Sequence, residues 1–298
     1  MRFSLCLKAA MHFNDIVTRA SHAERTGWDG VWFTDHFIFA EDTSRPRAEV
    51  WMTLAGLAAR VPRVRIGPLV SGNTHRHPAV LAKMAATLDH ISGGRAVLGL
   101  GSGWDENEHR RYGIPFYTVS ERLQRLDEAC SVIKKLFNER ESNFNGRFYQ
   151  LDQASLAPKP LQDPLPLMIG GGGEKKTLKI TAKHADEWNV YGSVETLRHK
   201  MTVLDRHCAD IGRDPKEIQR SAAVMLYMSD DKALTDEMKR RERGRPALIG
   251  NVAEVKDMVE QYAAIGVNEL IIPDTNFGPE EHAIATMDAF IQGVAGRF

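Results

Sequence analysis

The sequence predicts an α/β protein, a closed (β/α)8 TIM barrel carrying insertions. Three observations carry this reading. Short apolar runs alternate with amphipathic stretches along the chain, eight such runs can be counted, and no early phosphate loop of the doubly wound kind is present. In order, strands are expected at residues 3–7, 30–34, 64–70 and 95–100, with helices at 14–26, 48–60 and 78–90 between them. Pro78 opens the third helix, where its missing amide costs no hydrogen bond. Residues 119–138 predict a longer helix, because Leu123, Leu126, Cys130, Ile133 and Phe137 recur at helical spacing, with Ser120 as its cap.

The second half continues the rhythm. Strands are expected at 167–170, 187–191, 221–228 and 269–273, and helices at 174–184, 194–211 and 252–265. Residues 139–166 form a polar, proline-rich excursion and 229–248 a second insertion or loop, both within one domain spanning 1–298. The charge run 230–245 reads as a solvated helix and loop.

Composition excludes several function classes. The chain has 298 residues, 43% of them hydrophobic, enough for a large core. Lysine plus arginine equals aspartate plus glutamate at 39 each, so no global field gathers nucleic acid or an anionic membrane. Cys6, Cys130 and Cys208 are far apart and lack metal spacing, as expected of reduced cytosolic thiols packed in a core. Polar His12, Asn14 and Asp15 interrupt the start too early for a signal sequence, and no apolar run reaches membrane length. A cytoplasmic protein with a small-molecule substrate is the expectation.

In a βα barrel the reacting groups come from the carboxyl ends of the strands. Here those ends read Thr34-Asp35-His36-Phe37, Leu69-Val70-Ser71-Gly72-Asn73, Gly101-Ser102-Gly103-Trp104, Gly170-Gly171-Gly172-Gly173 and Trp188-Asn189. Gly99, Gly101 and Gly103 admit two explanations: a flat ligand approaching the main chain, or a crowded barrel corner. Trp104, directly after the run, favours a ligand. The four glycines lead into a helix expected from Glu174, so free amides and a positive helix end could hold a phosphate without a cationic side chain. A plain flexible loop is the alternative. Lys175-Lys176-Thr177 is not a P-loop ending, since the glycine before the lysine is missing.

Asp35 and His36 are the candidate acid–base residues, because histidine titrates near neutrality and a carboxylate can alter its protonation. Neighbours on a strand point to opposite faces, so one would support the barrel while the other meets the ligand. Glu106 and Glu108 stand at a helix start, where carboxylates are favoured for capping alone. His75 and His77 have the two-apart spacing that some barrel hydrolases use for metal, and with Asp35 and His36 they define a rival metal-dependent hydrolase. The favoured explanation for that segment is a loop entering the proline-started helix, with Arg76 or His77 at a phosphate or at the barrel rim. No metal is expected.

Several of these segments, taken in order, resemble the bacterial luciferase-like superfamily of barrel oxidoreductases, especially its members that use the deazaflavin coenzyme F420. The resemblance runs from Trp32-Phe33-Thr34-Asp35-His36 through Arg76-His77-Pro78, Ser92-Gly93-Gly94-Arg95, Gly99-Leu100-Gly101-Ser102-Gly103-Trp104 and Tyr112-Gly113-Ile114-Pro115-Phe116 to Ala185-Asp186-Glu187-Trp188-Asn189. It implies that Asp35, Val70, Ser71, Asn73, Gly101, Ser102 and Gly103 surround a ring, while Gly171, Gly172 and Gly173 take its phosphate. It also implies a cis peptide between Leu69 and Val70, and a homodimer. Some deazaflavin sugar dehydrogenases of the superfamily carry a catalytic glutamate where this chain has Trp104, so Trp104 is expected to wall the pocket and His36 to handle the proton. The implied reaction is hydride transfer between F420 and a small organic substrate, under a roof that includes residues 37–46. Alternatives are an FMN-dependent monooxygenase and a cofactor-binding protein without turnover.

Overall fold

The computed structural model describes residues 1–298 except Met11, Ala40, Glu41, Arg243 and Phe298. Strand β1 (Arg2–Cys6) leads to α1 (Phe13–Thr26), and β2 (Gly30–Phe33) to α2 (Val50–Ala58). The third barrel strand is broken into β3 (Arg65–Pro68) and β4 (Ser71–Gly72), and the Leu69–Val70 peptide at the break is cis. After α3 (Pro78–Ser92) and β5 (Leu98–Gly101) the chain passes through α4 (Glu106–Tyr112) into α5 (Val119–Asn138). A hairpin, β6 (Ser142–Asn145) with β7 (Gln150–Ala154), occupies the excursion. Then follow β8 (Leu167–Gly170), α6 (Thr177–His184), β9 (Glu187–Tyr191), α7 (Val194–Asp210) and β10 (Gln219–Ala223). The chain finishes with β11 (Met225–Met228), α8 (Lys232–Arg241), β12 (Ala247–Gly250), α9 (Val252–Ala264), β13 (Glu269–Pro273) and α10 (Glu280–Gly293).

Nine strands form one parallel sheet in the order β3-β2-β1-β13-β10-β9-β8-β5-β4. Its two end strands are halves of the same strand, and a bridge from Ile66 to Ala96 joins β3 to the approach of β5, so the sheet closes on itself. All eight expected strands are present. They are apolar rather than alternating because helices cover the outside and side chains fill the inside, as in the fully buried β2 and β13. At the amino end of the barrel Glu269 accepts from Arg2 (3.1 Å), Arg65 (3.0 Å) and the Trp32 indole (3.2 Å), and Arg65 also pairs with Glu187. This network closes the floor, which leaves the opposite end open for a ligand.

Three expectations need correction. Residues 221–228 are not one strand: β10 stays in the barrel, while beyond Val224 β11 pairs in parallel with β12. The 229–248 insertion therefore contributes α8 and the start of β12 in that second sheet. The long helix is capped by Thr118, not Ser120, in a reciprocal capping box with Glu121. Helix α6 begins at Thr177, three residues after the expected Glu174, since three turn residues follow the glycines. Within the expected roof 37–46, Ala40 and Glu41 lie outside the described residues, as does Arg243 of the charge run.

All three cysteines are buried and free, and burial pushes the Cys6 thiol up to about 12. They are packing residues. No helix among the described residues is long and apolar enough to cross a membrane.

Candidate active site

The carboxyl ends of β2, β4, β5, β8 and β9 enclose a cavity of about 400 Å³. A more open hollow of about 530 Å³ lies at the rim after β1 and β13, but its buried Arg19 is already engaged by Asp274 and Glu280. The cavity between the strand ends is the site that the sequence pointed to. It is lined by Asp35, His36, Val70, Ser71, Gly101, Ser102, Gly103, Trp104 and Gly171 of the expected residues, and additionally by His75, Glu108, Asn189 and Tyr191.

The glycines are explained by Val70. A Cβ on Gly101 would lie 2.8 Å from Val70 Cγ2, and one on Gly170 would lie 2.7 Å from it. Gly99 is required by a neighbouring strand, since its Cβ would meet the Pro68 carbonyl oxygen at 2.0 Å. Gly103 adopts φ +78 against Thr74, a conformation that favours glycine. Of the two sequence explanations, crowding accounts for these positions: the Pro68 carbonyl fixes Gly99, and Gly101 and Gly170 make room for Val70 in the cavity wall.

Asp35 and His36 part company, although both lie beyond β2, which ends at Phe33, and strand alternation does not reach them. Asp35 Oδ2 accepts from Ser71 Oγ (2.7 Å), the Gly72 amide (3.2 Å) and Arg76 (2.6 Å), and Arg76 also reaches Glu49 (2.6 Å). Burial alone would raise this carboxyl, but His75 and the Arg76 charge outweigh it and hold Asp35 well below the usual carboxylate range. Asp35 is therefore a fixed anion that ties β4 to β2, and Arg76 supports it from inside the wall. His36 instead turns to Glu108: its Nδ1 is 2.9 Å from Glu108 Oε2. The other Glu108 oxygen accepts from the Phe37 and Ile38 amides. Burial opposes the Glu108 charge, yet His36 and the Phe37 amide win and hold its pKa down.

Glu108 is a correction to the capping reading. Asp105 is the N-cap of α4 and accepts from the Glu108 amide at 3.1 Å, which frees the Glu108 side chain to reach His36. The only local signal was its place in the first turn of a helix after the Trp104 loop. With Nδ1 hydrogen-bonded, Nε2 is the His36 nitrogen left to the cavity. Trp104 meets His36 edge-on at 5.3 Å and is 72% exposed, so it forms the mouth of the cavity.

Other expected residues are placed differently. Asn73 is buried and donates to Tyr149 Oη at 3.3 Å, and it is not among the residues that line the cavity. His77 caps α3 by accepting from the Ala79 amide, while His75 packs on Phe37 and His109, with Nδ1 3.5 Å from Asp35 and otherwise unpartnered. The two histidines are committed to different neighbours, so the hydrolase reading loses its metal pair. A His36–Asp105–Glu108 group has the proximity for a cation, but its carboxylates are already engaged by His36 and by backbone amides.

Beyond β8, Gly171 adopts φ +122 and donates to the Asn189 carbonyl. The amides of Gly172, Gly173 and Glu174 have no acceptor among the described residues, leaving three consecutive donors. Lys200 also stands at this loop, its Nζ donating to the Gly172 carbonyl at 2.7 Å.

An apolar cavity wall, one tethered histidine and an adjoining loop of unengaged amides define a barrel suited to a cofactor with a flat ring and a phosphate. Residues 1–246 match the luciferase-like monooxygenase family, and the chain belongs to it. It is 35% identical over 225 residues to an F420-dependent glucose-6-phosphate dehydrogenase of Kineococcus radiotolerans. That alignment covers 72% of this chain and 64% of the relative, so the chain spans a little less than two thirds of the relative's length. It is 28% identical over 274 residues to an FMNH2-dependent dimethylsulfone monooxygenase of Pseudomonas putida, covering 85% of this chain and 75% of the relative. The fold matches the F420-dependent tetrahydromethanopterin reductase of Methanopyrus kandleri with a TM-score of 0.83 at 20% identity, covering 100% of this chain and 99% of that one.

Proposed function

We propose that the chain is an oxidoreductase that binds coenzyme F420 and exchanges a hydride with a small organic substrate. The observation that carries this reading is the His36–Glu108 pair, which presents one histidine nitrogen to the strand-end cavity. The residues fit the group: Val70 and the Gly101 to Gly103 backbone offer a surface for a ring, and the three unengaged amides offer an anion site for its phosphate. Bound F420 supplies the hydride chemistry at its ring.

The chain's own residues would then do three things. Asp35, held by Arg76 and Ser71, keeps β4 in place beside the cavity. Glu108 Oε2 accepts the Nδ1 proton of His36 and fixes the tautomer, so that Nε2 takes a proton from an alcohol being oxidised or returns one to a carbonyl being reduced. Trp104 and Tyr191 at the mouth exclude water. We include in this reading a single domain, a homodimer and a cytoplasmic location.

Spectral titration of the purified protein with F420 and with FMN is the test. F420 should bind more tightly, and His36→Ala should lower turnover by about 10²-fold or more while leaving F420 affinity at the wild-type value. A wide preference for FMN replaces the reading with the monooxygenase alternative.

A further inference from the structure

Of the chain's five tryptophans, Trp28, Trp32, Trp51 and Trp188 are buried, and Trp104 alone stands open to water, at the cavity mouth. Its ring neighbour among the described residues is His36, at 76° between the planes, so no side chain is stacked on the indole. Tyr191, on the β9 side of the same mouth, is also exposed and has no ring partner among the described residues. Packing is unfinished at these two rings, and a flat apolar group would complete it.

The same cavity is unfavourable to anions. No lysine or arginine is among its described lining residues, whereas Asp35 and Glu108 are, and both carboxyls are held below their usual range and so stay ionised. The cations behind the wall are already engaged, Arg76 by Asp35 and Glu49, and Lys200 by the Gly172 carbonyl and Glu174. With the Gly172 to Glu174 amides given to the cofactor's phosphate, a charged substrate group would meet like charge and no counter-ion.

We infer that the substrate is an uncharged alcohol, or the matching carbonyl compound, that carries an aromatic group, and that Trp104 selects it by stacking on that group. The inference rests on the F420 oxidoreductase reading and deepens it from reaction type to substrate class. In the oxidative direction the alcohol carbon gives its hydride to oxidised F420 and the hydroxyl gives its proton to His36 Nε2. The products are the carbonyl compound, reduced F420 and a protonated histidine. Trp104 holds the aromatic end at the mouth, beside the imidazole that takes the proton.

The test compares benzyl alcohol, its ring-carboxylated twin and propanol on the F420-loaded protein. F420 affinity is measured first, by spectral titration. Substrate docking is then read as protection of tryptophan fluorescence from acrylamide, a signal that Trp104 dominates because the other four indoles are buried. Benzyl alcohol should shield Trp104 beyond any effect of F420 alone, and the shielding should vanish in Trp104→Ala. Its kcat/KM should exceed that of propanol by about tenfold, a margin that Trp104→Ala removes and Trp104→Phe largely restores. The carboxylated twin should be about tenfold or more less efficient than benzyl alcohol. Equal efficiency of the twin, a margin over propanol that survives Trp104→Ala, or no shielding by benzyl alcohol overturns the inference. No turnover of benzyl alcohol with F420 bound also overturns it and leaves the cofactor reading standing, whereas failure of F420 to bind removes both.

Discussion

The substitution Glu108→Gln isolates what the carboxylate charge does. It keeps the side-chain volume and an amide oxygen to accept from the Phe37 and Ile38 amides. The new NH2 group, however, would face His36 Nδ1, where Glu108 Oε2 now accepts at 2.9 Å. To pair with a donor, His36 must offer its Nδ1 lone pair and carry its proton on Nε2. The nitrogen facing the cavity then presents a proton where a base is needed. Proton transfer by a positioned group contributes about 10²- to 10⁴-fold, so kcat for alcohol oxidation should fall by that range, about 3 to 5 kcal/mol of transition-state stabilisation. Exchanging hydrogen bonds to a charged carboxylate for neutral ones should cost about 1 kcal/mol of folding stability.

The pH dependence separates the two effects. Glu108 is held below its ordinary 4.5, so the unfolded chain takes up its proton first as pH falls. The stabilisation is complete above 4.5 and is lost as pH drops through the lower folded value. The variant should lack that acid-side slope. Stopped-flow single turnover, cofactor titration and denaturant melts from about pH 7 to about pH 3 provide the readouts. A folded variant with wild-type kcat refutes the tautomer argument.

Asp35→Asn should act on stability, because Asp35 is a structural anion bonded to Arg76, Ser71 and Gly72. Breaking this buried pair should cost about 3 kcal/mol near neutral pH in urea unfolding. The difference from wild type should shrink as pH falls below the ordinary 3.8 towards the lower folded value, where the folded Asp35 itself becomes protonated. Gly101→Ala should cost about 1 to 3 kcal/mol by pushing Val70, and a Val70→Ala/Gly101→Ala double variant should recover part of the loss. Gly99→Ala meets the Pro68 backbone oxygen, so Val70→Ala should not rescue it; recovery in that pair contradicts the packing explanation.

The strands were legible because a covered parallel sheet writes itself as short apolar runs, and the helices because their apolar spacing is local. Where the reading failed, the cause was a local pattern continuing across a change of partner. Residues 221–228 remain apolar while the strand leaves the barrel at Val224, and nothing in their period marks the switch from β13 to β12. Gly99 and Gly101 look alike in sequence, yet one is set by a backbone oxygen and the other by a side chain. Glu106 and Glu108 are equally good helix-start carboxylates; only folding buries the second against the loop after β2.

The sequence by itself determined the barrel, the strand ends that carry the site and the glycine loop after β8, since each depends on residue type and spacing over a few turns or one strand. Only the tertiary structure decided the partners: Arg76 for Asp35, Glu108 for His36, and Val70 for the glycines. The physical reason is sequence distance. His36 and Glu108 are 72 positions apart, and their hydrogen bond exists because closing the barrel brings the loops after β2 and β5 to one side of the same cavity.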